Sequence, residues 1–528
     1  MKKFLSVLLA CVLLLTSFAT AFAAEGDGYD LDYPVVYVIG RVYIFRDMGT
    51  PQEAQIPDAT TDEIMDAVKE CLPYAAKAYL FGGKYWDEYC EKTLPVLLKF
   101  FDGYSCDENG IPPANTGFKW SWSEDKLVRD YQNREINTYD FRHDSRISPY
   151  EAADQLNEYI EAIKRVTGKD KVCLIARCMG TDTMLAYLQK YQEPIDYAGV
   201  ASVLFYTSAS RSVPMLDAAF SGTIEVEPKA AGYFLESLKL GEKVNNETLA
   251  QVIPYALDML ENSFGIKVTA GMVQKFYDKI KDTLIKEFLL GTLACSPGYW
   301  AMTGEHYEQA KEYLFGGEEE KYAGVIAKAD AYHYNVYERV DEMLADMQAD
   351  GVKVSAVCKY GFPAYPLTAD ANGLADGDTP VANQSFGATT SEYDTRLDPE
   401  YVQSRVDAGY GDYISPDRQI DASTGLLPET TWYIKNFKHN PFPLEVNPFL
   451  LEVLWRSDYD IHADAAHPQF MVMNDDNTIV PQTTENCDTA MVNPPKEEQG
   501  KVQAFFARIR AFFKAFIALV KVLFAKKN

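Results

Sequence analysis

Residues 171–188, KVCLIARCMGTDTMLAYL, constrain the fold more than any other stretch of the chain. Val172-Cys173-Leu174-Ile175 is a short apolar run of the kind that makes a buried strand. Ala176-Arg177-Cys178-Met179-Gly180 follows, with a small residue at each end. Met184, Leu185 and Leu188 then recur at helical spacing. A strand that turns straight into a helix through small residues lifts its middle side chain, Cys178, to the sharp top of the turn. That side chain faces the positive end of the helix. The rest of the chain must supply the sheet that holds this turn.

The flanking sequence supplies one. Residues 33–40, YPVVYVIG, are apolar throughout, as expected of a strand buried on both faces of a parallel sheet. Residues 135–142 read as a second strand, and 149–166 as an amphipathic helix with Ala152, Leu156, Ile160 and Ile163 on one face. Gly168 stops that helix. Residues 197–206 give another strand. This alternation predicts a parallel α/β sheet. From about 215 to 348 only helical periodicity recurs, clearest at 252–264, 273–290 and 332–347. Residues 353–360 return to the sheet, 374–390 read as a loop, and 431–436 as a strand followed by Phe437-Lys438-His439. Residues 469–474 and 478–480 predict a terminal hairpin.

The balance of 50 basic and 77 acidic residues gives a net charge of −27, which excludes the basic footprint that nucleic acid requires. Residues 1–23 have a charged start at Lys2 and Lys3, an apolar stretch and Ala21-Phe22-Ala23, which predicts a cleavable secretory leader and export to the cell surface or medium. Eight cysteines remain beyond it, too few for a disulfide scaffold and without the C-x-x-C spacing of a zinc site. No metal or cofactor is expected. Cys173 and Cys358 read as buried small apolar residues. After Asn493-Pro494-Pro495, residues 501–528 form a basic amphipathic pattern with a phenylalanine-rich face. Such a helix suits an anionic membrane surface, and it equally suits docking on the domain or a partner.

Five segments occur in an order that resembles the α/β-hydrolase superfamily, and within it secreted bacterial lipase- or acyltransferase-like members. VVYVIG is similar to the strand before the oxyanion loop, and YDFRHD to a Y-D-W-R segment. LIARCMGTD resembles the L-x-G-H-S-M-G-G elbow, DGDTPV the D-G-x-V-P acid loop, and TWYIKNFKH the strand that delivers a late histidine. The likeness runs from about residue 33 to 439. It departs at Ala176, where glycine is usual, at Cys178, where serine is usual, and at Ile39, where histidine is usual before Gly40.

The resemblance implies Cys178 as nucleophile, His439 as base and Asp376 as the acid that orients it, with Asp378 as the alternative acid. It implies an oxyanion hole from the amides of Met179 and Arg41. His143 precedes the elbow and breaks the family order, and Asp140 and Arg142 read as braces of the sheet edge. The implied fold is an α/β-hydrolase core over 24–214 and 351–492. A helical lid spans 215–350, and a linker with the basic helix spans 493–528. The implied activity is hydrolysis of an ester or thioester, or transfer of its acyl group. A non-catalytic binding or cell-surface protein on the same fold is the alternative, since the elbow lacks the usual Gly and Ser.

Overall fold

The computed structural model describes residues 33–41, 44–56, 61–133, 137–227, 263–364 and 373–487. The expected leader, most of the expected helix at 252–264 and the basic helix at 501–528 lie outside these residues.

Eight strands form the central sheet: β1 (Val35–Arg41), β2 (Thr138–Asp144), β3 (Val172–Cys178), β4 (Val200–Ser208), β5 (Lys353–Tyr360), β6 (Thr431–Lys435), β7 (Phe470–Met473) and β8 (Ile479–Pro481). Their order across the sheet is β8-β7-β6-β5-β4-β3-β1-β2. Every pairing is parallel except β7 with β8. All nine residues of β4 are buried, as a central strand covered on both faces requires.

Helices cover both faces. On one, the helix Pro149–Thr167 buries Ala152, Leu156, Ile160 and Ile163, the face expected from its spacing. Ser148 opens it with a capping box closed by Glu151, and Gly168 ends it at φ +69°. The helices Gly180–Tyr187 and Val340–Ala349 join the same core. On the other face the helix Asn447–Trp455 buries Phe449, Leu450, Val453 and Leu454 against Ile175, Leu204 and Trp432. Among the described residues no helix is long and apolar enough to cross a membrane.

Four local expectations change. The elbow strand extends three residues beyond Ile175, to Cys178. The helix expected over 332–347 is two helices, Ala323–Asn335 and Val340–Ala349, broken at a short turn where Tyr337 stacks on His333. The loop over 374–390 contains a helical turn, Val381–Gln384. The terminal hairpin is part of the central sheet, because β7 pairs with β6.

Candidate active site

Cys178 ends β3 with its backbone already turned to φ +49°. For a residue carrying a Cβ, such a left-handed conformation costs about 1–3 kcal/mol. The neighbouring structure enforces it. The helix after the turn starts at Gly180. There a β-carbon would overlap the Val38 carbonyl oxygen and come within 2.8 Å of its carbonyl carbon. Glycine alone lets this helix seat so closely on β1. Thr181 Oγ1 donates to the Cys178 carbonyl at 2.6 Å, and the Ala209 amide donates to Thr181 Oγ1 at 3.3 Å. Ala176 is fully buried and pairs with Val38 on one side and Phe205 on the other. Its methyl fits the core there, so the turn forms without the usual glycine.

His439 lies just beyond β6. Its amide donates to the Asp376 carbonyl at 2.8 Å, and its Nδ1 lies 2.8 Å from Asp376 Oδ2. Asp376 is fully buried, and its Oδ1 accepts from the amides of Asp378 at 3.0 Å and Thr379 at 2.8 Å. The loop therefore aims one carboxylate oxygen at the ring and ties down the other. The Cys178 side chain also lies close enough to the imidazole to act on its charge. Burial alone would push the His439 pKa down. The Cys178 sulfur and the Asp376 carboxylate outweigh it and push His439 up to about 11.

The structure thus brings Cys178, His439 and Asp376 together around one ring. Asp378 is placed differently: its Oδ2 lies 3.8 Å from His439 Nε2. Burial pushes the Asp378 carboxyl up to about 6, against the opposing pull of His439. Met179 follows Cys178 directly, and its side chain packs where a β-carbon at Gly40 would come 3.1 Å from Met179 Cβ. Arg41 closes β1, with its backbone paired to Asp144. The two stretches expected to supply oxyanion donors therefore meet at one edge of the turn.

His143, on β2, is buried beside Gly40, with Nε2 3.1 Å from Thr183 Oγ1 and Nδ1 3.2 Å from the Asp144 carbonyl oxygen. Burial pushes it down to about 4, so it is neutral at neutral pH. His306 pairs with Asp217 at 2.7 Å and His467 with Asp464 at 2.6 Å, while His333 stacks on Tyr307. Asp140 and Arg142 form an ion pair on β2, at the edge of the sheet.

Cys178 is half-buried and packs against a buried apolar cluster. That cluster joins Met179 and Ala209 to Val213, Phe220, Leu289 and Trp300 from the stretch after β4. An open cavity of about 460 Å³, lined by Arg46, Leu98, Phe100 and Asp102 among others, includes none of the site residues in its wall. Among the described residues no cluster of metal-ligating side chains occurs, and all eight cysteines are free thiols. One charged residue beneath the site is hidden in the sequence by an apolar strand run: Lys359, fully buried near the end of β5. Its signal is a lysine directly before the Tyr-Gly that ends a buried strand.

No family model matches the chain, and no curated protein matches it. Among solved structures, a chain in the crystal structure of the Tle4–Tli4 complex is similar over 62% of this chain and 74% of its own length. The identity is 10% and the TM-score 0.23, a level of likeness that carries no argument about fold or function.

Proposed function

We propose that this chain is an exported acyl-transfer enzyme of the α/β-hydrolase type, with Cys178 as nucleophile, His439 as base and Asp376 as the orienting acid. The observation that carries the reading is the shared imidazole: Asp376 holds Nδ1 at 2.8 Å, while the Cys178 side chain acts on the same ring from the strained end of β3. Nucleophile, base and orienting group in hydrogen-bond reach are what acyl transfer requires.

The steps follow from the geometry. The Asp376 carboxylate accepts a hydrogen bond from Nδ1–H, and Nε2 holds the proton drawn from the Cys178 sulfur, in keeping with the raised pKa of His439. The sulfur attacks the carbonyl carbon of an ester or thioester. The oxygen that gains negative charge turns toward the amides of Met179 and Arg41. Collapse of the tetrahedral species breaks the bond to the leaving alcohol or thiol, which departs with the proton held on His439. Water or an acceptor alcohol then gives a proton to His439 and attacks the acyl–sulfur bond. Collapse regenerates the thiol and releases an acid or a new ester. The apolar cluster around Cys178 supports an apolar acyl group, with the helices after β4 acting as its cover.

Turnover of short-chain p-nitrophenyl esters by the purified protein tests the reading. Cys178→Ala should lower turnover roughly a thousandfold or more. Equal turnover in wild type and Cys178→Ala sinks the thiol mechanism. Slow, unselective alkylation of Cys178 in a protein without turnover would favour a binding protein on the same fold.

A further inference from the structure

Lys359 has no place in the mechanism above, yet its surroundings are specific. It is fully buried. Its Nζ donates to main-chain carbonyls of the segment that carries the base: Lys438 at 3.4 Å, His439 at 3.1 Å and Pro441 at 3.2 Å. The rings of Phe437 and Phe442 have their centres 3.7 and 3.8 Å from Nζ, and that of Tyr206 lies 4.8 Å away. Burial pushes Lys359 down to about 6, against the pull of Asp376 and Cys178, so at neutral pH Nζ holds the three carbonyls largely as an amine with two protons to share among them.

The backbone of Lys359 is tied to the other half of the site. Its amide donates to Gln384 Oε1 at 2.9 Å, and Gln384 Nε2 donates to the Lys359 carbonyl at 3.1 Å. The same Gln384 Nε2 donates to the Thr379 carbonyl at 2.7 Å, inside the loop that carries Asp376. A short chain of bonds therefore runs from the acid loop, through Gln384 and Lys359, to the carbonyls on either side of the imidazole. Titratable groups facing this space are Asp376, Arg177 and Cys178 around Lys359, with Asp378 beside the His439 ring.

We infer that Lys359 is a positioning residue, which clamps the His439 segment from beneath and fixes the imidazole between Asp376 and Cys178. This inference rests on the proposed reading of the site, and it goes beyond it. The clamp replaces the rigidity that a loop following a strand end lacks, and it sets the ring by the main chain rather than by touching substrate.

The test compares wild type with Lys359→Met and Lys359→Gln, using protein labelled with nitrogen-15 in histidine. In wild type the Nδ1 proton between His439 and Asp376 should give a downfield signal in the proton spectrum. In Lys359→Met that signal should vanish through exchange, and the His439 titration should move down by about one unit or more as its partners separate. Ester turnover should fall about tenfold or more in kcat with little change in KM, as loss of orientation predicts. Lys359→Gln keeps an amide donor and should show smaller changes in the same directions. It also decides the matter should Lys359→Met fail to fold. Folded variants with the wild-type signal, titration and kcat overturn the inference. Wild type that turns over no ester overturns the enzymatic reading instead, and the ring proton and its titration still decide the role of Lys359.

Discussion

At the scale of single residues, Cys178 is where stability and the proposed chemistry oppose each other. Its φ of +49° suits glycine and costs a residue with a Cβ about 1–3 kcal/mol. Cys178→Gly should therefore be more stable than Cys178→Ala by about 1 kcal/mol in denaturant unfolding, although both lack the sulfur. Equal stabilities would mean the turn is not strained. His439 gives the second residue-scale prediction. Its pKa, about 11, is raised above the value of a free imidazole, so its contribution to stability is full below about pH 6.5 and is lost as pH rises through about 11. Cys178→Ala removes the sulfur contribution, so the His439 titration should fall, and that part of the stability should be lost at lower pH. Ring titration by NMR reads the shift, and an unchanged value would show that sulfur and ring are not coupled. The residues of the site were legible in the sequence to different degrees. Cys178 stood out at a strand-to-helix turn, and Asp376 and His439 stood out through the resemblance of DGDTPV and TWYIKNFKH to an acid loop and a histidine strand. Lys359 did not, because its partners are main-chain carbonyls about eighty positions away, which no local pattern encodes.

At the scale of elements, the strands nearest the elbow were legible because burial on both faces leaves uninterrupted apolar runs. The partnership of the terminal hairpin was not, since strand pairing between β6 and β7 is non-local. What fastens that hairpin is a buried polar network. Lys435 Nζ, on β6, lies 2.5 Å from Asp417 Oδ2 and donates to the Cys487 carbonyl at 3.1 Å. Gln482, next to β8, donates to Asp417 Oδ2 at 2.9 Å and accepts from the Tyr360 hydroxyl at 3.1 Å. Asp417 is held below the usual carboxylate range: burial opposes this, but the Lys435 charge outweighs it. Breaking one side of a buried pair strands the other charge. Lys435→Met should cost about 3–5 kcal/mol, while adding Asp417→Leu should recover part of that loss. Unfolding curves of the single and double variants check this, and a double variant no more stable than Lys435→Met would contradict it.

At the scale of the whole molecule, the parallel sheet is a device for convergence. Cys178 ends β3, Asp376 lies on the loop after β5, and His439 follows β6. Three positions spread over 262 residues of sequence meet because parallel strands deliver their carboxyl ends to one edge of the sheet. The alternation of strand and helix made that edge foreseeable. The break between Ala323–Asn335 and Val340–Ala349 was less so: neither glycine nor proline marks it, and Tyr337 stacks on His333 there. The central claim is that an acyl group passes through the Cys178 sulfur, and the most direct measurement is the mass of the protein quenched in acid during turnover of an activated ester. The account predicts one added acyl group, located on the peptide that contains Cys178 and absent from Cys178→Ala. Turnover without any adduct on that peptide, or an adduct that persists in Cys178→Ala, would contradict it.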